Sequence, residues 1–287
     1  MKLVLVSTIL LIAVSICGCT SVNITEFPVP DTSDRSMPVF DKNQKIIVFA
    51  AHPDDEAIGA ATIMSRTIKN GGDVELVITT DGAPREFGHG EFEAGVRKNE
   101  TIRAMSLIGV PEENIRFLDY DDRGFIWEID VDEEISRIAD IIEEERPSQV
   151  YIHAYEGGHI DHDATHYLVT EALKKSDTRP KVYEFPEYNG YYWGKPIPED
   201  KDKVDNEHYP ILTLGLSEEE KSLKKKVIKQ YISQHPIKSN LIPHDDYNGL
   251  KIVHLSVDVN GVNQNPNDLK SGNHYMKIAE MDLSNRR

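Results

Sequence analysis

The strongest constraint on this chain is a set of short, continuous apolar runs separated by helical patterns. Ile46-Ile47-Val48-Phe49-Ala50-Ala51, Val74 to Ile78 and Val150 to Ile152 have no polar alternation, as expected of strands buried on both faces of a parallel sheet. Between them, Val131, Ile135, Ile138 and Ile142 recur at three- and four-residue spacing, opened by Asp130 and stopped before Pro147, which predicts an amphipathic helix. Further helices are predicted over about 56–69, 93–107 and 162–174. Alternation of strand and helix across 45–185 predicts an α/β fold: a Rossmann-like, doubly wound, mostly parallel sheet with helices on both faces. In such sheets ligands bind at the carboxyl ends of the strands.

The regular pattern ends after Phe185. An aromatic, Pro-rich loop over 188–198 leads to an amphipathic helix carrying Leu223, Val227 and Tyr231, with Ser217 and Glu220 placed as a capping box. Lys251 to Val257 is β-like and is expected to add an edge strand. Residues 186–287 thus form a C-terminal helix/strand extension to the 45–185 core, both parts of one domain spanning 42–287.

Ahead of the domain, residues 1–19 join one lysine to an apolar run too short for an ordinary membrane span, ending in Ile16-Cys17-Gly18-Cys19. This reads as an export signal with a lipobox, Cys19 taking the lipid and anchoring the protein to the membrane at the cell envelope; the alternative is an uncleaved anchor helix. Residues 20–41, rich in Pro, Ser, Thr and Asp, are expected to be a flexible tether. Both of the 2 cysteines fall in the leader, so the domain has no thiolate, and any metal must be held by His, Asp or Glu. A formal net charge of -17 repels a phosphate backbone and argues against nucleic acid as a partner.

Two polar clusters sit at strand ends. The first strand runs into His52-Pro53-Asp54-Asp55-Glu56, and Val150 to Ile152 runs into Glu156-Gly157-Gly158-His159-Ile160-Asp161-His162-Asp163, each entering a helix. A lone Asp at such a place is more often a helix cap, but two histidine-bearing clusters at strand ends outweigh that reading. Two His and one carboxylate with a position left for water make a hydrolytic zinc site, and His52, Asp55 and His162 supply that set. Ferrous iron, Fe2+, suits the same donors.

Ala51-His52-Pro53-Asp54-Asp55-Glu56 and His159-Ile160-Asp161-His162 resemble the two signatures of LmbE-like, PIG-L-type zinc-dependent N-deacetylases. The resemblance extends through Thr80-Asp81-Gly82, Arg97-Lys98-Asn99-Glu100 and Leu107-Ile108-Gly109-Val110 to Tyr231-Ile232-Ser233-Gln234. It implies that His52, Asp55 and His162 bind Zn2+, that Asp54 is the general base, that His159 assists the oxyanion or the leaving group, and that Arg97 reaches the substrate. Asp161 is then placed to orient His159 and keep it cationic. The reaction implied is removal of an acetyl group from an N-acetylglucosamine-type sugar or glycoconjugate, by attack of metal-activated water on the amide carbonyl.

His153 is placed to line the pocket, and His166 reads as a packed helix residue. No Gly-x-Gly-x-x-Gly follows the first strand and no Gly-x-Ser-x-Gly is present, which disfavours a nicotinamide enzyme and a serine hydrolase. The competing reading is a surface lipoprotein that binds a glycan or a metal without turnover; an intact Asp54 argues against it, because a binding module needs no base beside a metal.

Overall fold

A computed structural model describes residues 38–85, 90–155, 158–187, 211–234 and 249–253. The leader with Cys19, most of the tether and the 188–198 loop lie outside the described residues. Among the described residues, no helix is long and apolar enough to cross a membrane.

The elements follow in the order β1 (Lys45–Ala50), α1 (Ala61–Lys69), β2 (Asp73–Thr80), α2 (Glu91–Ser106), β3 (Ile115–Tyr120), α3 (Val131–Glu145), β4 (Gln149–His153), α4 (Ile160–Lys175), β5 (Lys181–Phe185), β6 (Ile211–Gly215), α5 (Glu218–Ile228) and β7 (Gly249–Val253). The seven-stranded sheet has the order β3-β2-β1-β4-β5-β7-β6. β1 pairs in parallel with β2 and β4, β2 with β3, and β4 with β5. The chain therefore reverses direction across the sheet between β1 and β4, where doubly wound sheets form their ligand crevice.

Alternation along the strands divides the core in two. Ile46, Val48 and Ala50 pack with Ala61 and Met64 of α1, Ala104 and Met105 of α2, and Val227 of α5. Ile47 and Phe49 face the other way, onto Ile135, Ile138 and Ile142 of α3 and Leu168, Val169 and Ala172 of α4. Each buried aliphatic side chain contributes roughly 1.5–3 kcal/mol, so β1, buried on both faces, is held rigidly beneath the site at its end.

The predicted helices form, except that residues 56–60 make a π-helical turn ahead of α1 and that α5 ends at Ile228, before Tyr231; Asp130 caps α3 by accepting the Glu133 amide at 3.1 Å. Ser217 and Glu220 make the reciprocal capping box on α5. Arg66 of α1 donates to both Glu220 carboxylate oxygens, at 2.6 and 2.9 Å, and to the Gly215 carbonyl at 2.7 Å, fixing the extension to the core. One expectation is corrected: the late β-run is not an edge strand. β7 lies antiparallel between β5 and β6, and β6 forms the edge. An isolated run in the sequence shows that a strand exists but not how many neighbours it has.

Candidate metal centre

Beyond β1 the chain does not enter a regular helix. Residues Glu56–Ala60 form a π-helical turn before α1, a conformation common at functional sites. It turns Asp54 and Asp55 inward, and both are buried. Gly59 lies on this turn, where a Cβ would collide with the Phe185 ring; the turn can settle on the sheet only because that atom is missing.

The Asp55 carboxylate is the hub. Its Oδ2 accepts the His52 amide at 2.8 Å and lies 3.0 Å from His52 Nδ1, 3.3 Å from His162 Nε2 and 3.3 Å from His153 Nε2. Four ligands about 2 Å from a zinc ion stand about 3.3 Å apart along the edges of their tetrahedron. The separations from Asp55 Oδ2 to His52 Nδ1 and His162 Nε2 are of that size, two of the edges such a site needs. The structure thus brings Asp55 into contact with both histidines expected to bind metal with it.

His153 occupies the same cluster in another capacity. Its Nε2 accepts the backbone amide of Ala51 at 3.1 Å, so that lone pair is committed to the backbone. Glu187, two residues past β5, lies 3.8 Å from His153 Nδ1. Asp55, His153, His162 and Glu187 form one group of potential ligand atoms, His52, Asp122, His159 and Asp161 another, and His52, His159 and His162 a third; among the described residues no group joins His52, Asp55 and His162.

Asp161 is placed differently from expectation. Its carboxylate accepts the amides of Arg123 at 2.6 Å and Gly124 at 2.7 Å and meets His52 Nε2 at 3.3 Å, but stands 3.9 Å from His159 Nδ1. Asp122 also lies 3.2 Å from His52 Nε2. The carboxylates therefore hold the His52 imidazole from its Nε2 side, the arrangement usual behind a histidine that binds metal through its other nitrogen. His159 Nδ1 accepts the Asp161 amide at 3.3 Å, which leaves Nε2 as the N–H donor of a neutral ring.

The electrostatics agree with this division. Burial, with the neighbouring His52 and His162 charges, pushes His159 down to about 3, so Asp161 does not keep it cationic. Burial, reinforced by His153, likewise takes His162 down to about 4. Burial also opposes charge on His52, but the Asp122 and Asp55 carboxylates outweigh it and raise that group well above its ordinary value. Asp55 is held well below the carboxylate range, its burial outweighed by His162 and His52. Burial and the nearby Asp55 and Asp54 charges push Glu187 well up, and burial raises Glu56 to about 7.

Asp54 lies beside this cluster. Arg97, only 5% exposed, donates from Nη2 to Asp54 Oδ1 at 3.2 Å and to the Pro53 carbonyl at 2.6 Å, and from Nη1 to the Gly82 carbonyl. The sequence resemblance implied contact with substrate; in the fold these donors grip the loop that carries Asp54. His166 has the packed role expected of it, donating from Nδ1 to the His153 carbonyl at 2.9 Å beside Glu184. Asp122 and Glu187 were not anticipated, although both follow strand ends, where polar residues deserved the scrutiny given to the two motifs.

Comparison with known proteins agrees with the geometry. Residues 47–173 match the family described as PIG-L: GlcNAc-PI de-N-acetylase. A 1D-myo-inositol 2-acetamido-2-deoxy-alpha-D-glucopyranoside deacetylase from Kineococcus radiotolerans is 30% identical over 48% of this chain and 47% of its own. The chain spans about half the length of the curated relatives it matches. Among solved structures, a deacetylase triple mutant of the teicoplanin biosynthetic pathway superposes with a TM-score of 0.57 at 17% identity, covering 73% of this chain and 96% of that one. The N,N'-diacetylchitobiose deacetylase from Pyrococcus horikoshii gives 0.51 at 24% identity, over 70% and 74%. Both structural likenesses show a shared α/β fold. Residues 47–173, the span that matches the PIG-L family, contain both histidine–aspartate motifs.

Proposed function

We propose that this protein is a zinc-dependent N-deacetylase, hydrolysing the acetamide of an N-acetylglucosamine-type sugar or glycoconjugate to acetate and a free amine. The observation that carries the reading is the pairing of the Asp55 hub, with His52 and His162 at metal-ligand separations, and a second carboxylate, Asp54, immediately beside the hub in sequence but held by Arg97. A binder needs the first; only a hydrolase needs the second.

A divalent cation held by His52, Asp55 and His162 supplies Lewis acidity to a carbonyl and makes water more acidic. Asp54 takes the proton of the attacking water as its oxygen bonds to the carbonyl carbon. The neutral His159 ring, with Nδ1 occupied by the Asp161 amide, offers Nε2–H to the developing oxyanion. Asp54 then returns its proton to the amide nitrogen as the C–N bond breaks, so the amine leaves neutral. Asp161 and Asp122 orient His52, and Arg97 keeps the Asp54 carboxylate in place.

The test is acetate release, read by mass spectrometry, from a panel of N-acetylglucosamine conjugates incubated with protein carrying one equivalent of zinc. Release of acetate with appearance of the matching amine is expected. Binding of the same conjugates with no release across the panel would replace this reading with that of a glycan-binding protein.

A further inference from the structure

Asp54 is held in a costly backbone conformation. Its φ is 133°, whereas the other described non-glycine residues with positive φ, Asn43, Asp119, Arg123 and Arg146, lie between 43° and 74°, in or near the ordinary left-handed region. Such a conformation costs on the order of 1–3 kcal/mol and persists only where its surroundings enforce it.

Two arms enforce it. On one side the Asp54 amide donates to Glu56 Oε2 at 2.9 Å, and Glu56 Oε1 accepts the hydroxyl of Tyr231. Both Glu56 and Tyr231 are fully buried. On the other side Arg97 grips Pro53 and Asp54 from α2, and one turn further along α2 Glu100 accepts the Ser233 amide at 2.9 Å and the Ser233 hydroxyl at 2.6 Å. Tyr231 thus reaches the first arm directly, and Ser233 anchors α2, the helix that carries Arg97, from the same short stretch of the extension, more than 50 residues beyond the end of the matched span at 173.

We propose that Tyr231 and Ser233 are positioning residues, through which the C-terminal extension clamps Asp54 in its strained conformation. The catalytic consequence rests on Asp54 being the base of the proposed reaction; the clamp itself does not. The extension is then part of the machinery that aims the base, as well as a cover for the apolar face of α1. Misplacing a reacting group by about an ångström costs up to about a hundredfold in rate, while substrate affinity and the metal ligands stay unaffected.

The experiment compares wild type with Tyr231→Phe, which keeps the buried ring and removes only the hydroxyl, using Ile232→Ala at an exposed neighbour as control. Amide hydrogen exchange at Asp54, followed by NMR in the metal-free protein, is expected to be slow in wild type and at least about tenfold faster in Tyr231→Phe, reporting local opening. With zinc bound, Tyr231→Phe is expected to lose about tenfold or more in kcat with KM within twofold and zinc content unchanged; Ile232→Ala changes none of these. Equal Asp54 exchange in Tyr231→Phe and wild type, or wild-type exchange as fast as in an exposed loop, overturns the clamp. Should Tyr231→Phe fail to fold, Ser233→Ala is read in the same way through Glu100. An enzyme with no turnover on any substrate refutes the proposed function, and the exchange measurement still decides the clamp.

Discussion

His153 Nε2 accepts the backbone N–H of Ala51 at 3.1 Å, joining β4 to the end of β1 directly behind the metal cluster. A neutral imidazole has one acceptor nitrogen, and here it serves the backbone. His153→Gln is therefore expected to retain one equivalent of zinc, with affinity weakened by no more than about 10–100-fold, and to keep its stability within about 1 kcal/mol, because the carboxamide oxygen can accept the Ala51 amide in place of the imidazole. His162→Gln, by contrast, is expected to lose stoichiometric zinc. Metal analysis after gel filtration, with urea unfolding, reads both; loss of zinc from His153→Gln would make it a ligand.

Asp54 and Asp55 are adjacent in sequence and opposite in predicted behaviour. Asp54→Asn preserves shape but cannot accept a proton, so turnover is expected to fall by about 10² to 10⁴ with zinc content unchanged. Asp55→Asn removes the carboxylate charge shared by His52 and His162, so zinc is lost first and activity with it. Added zinc is expected to restore part of the activity to Asp55→Asn and none to Asp54→Asn. A fully active Asp54→Asn protein would sink the proposed base.

Gly82 sits at φ +67° with the Arg97 guanidinium against its Cα face; a Cβ there would lie 2.5 Å from Nη1 and 2.6 Å from Cζ. Gly82→Ala is expected to cost about 1–3 kcal/mol and to displace Arg97 from Asp54, lowering kcat more than it raises KM. Unchanged thermal stability and kcat would show that Arg97 can yield without disturbing the base.

The metal-free protein is expected to weaken in mild acid. Burial pushes the His166 imidazole down to about 4, against an ordinary value near 6.5 in the unfolded chain. Above pH 6.5 neither state is protonated and nothing is lost. As pH falls from about 6.5 to about 4 the unfolded chain takes up a proton that the native state refuses, so stability falls, by up to about 3 kcal/mol for this group, and levels off below. Urea midpoints from pH 7.5 to 4 check this, and His166→Gln is expected to flatten the slope. An unchanged slope would remove His166 from the account.

What could be read from the sequence follows the physics of burial. β1, β2 and β4 were legible because both of their faces are covered, leaving unbroken apolar runs. β3 was not, because only Ile115 and Leu118 are buried in it, one on each face, and Asp119 is exposed; as the strand at the other edge of the described sheet it mixes Arg116 and Asp119 into its six residues. Missing β3 concealed Asp122, two residues past its end, and with it half of the support for His52. The two motifs were legible because ligands and base are contiguous within each. Glu56, which holds the Asp54 amide, lies in the same motif, but Arg97 and Tyr231 come from two distant stretches, and only the fold brings those to it.

The interleaving of β6 and β7 has a consequence for how the chain is made. Among the described residues β7 is the last strand in the chain, yet it lies between β5 and β6, so β6 is synthesised before the strand it pairs with. Until Gly249–Val253 arrives, a nascent chain presents the open side of β5 as an unpaired edge, a template for pairing with other chains.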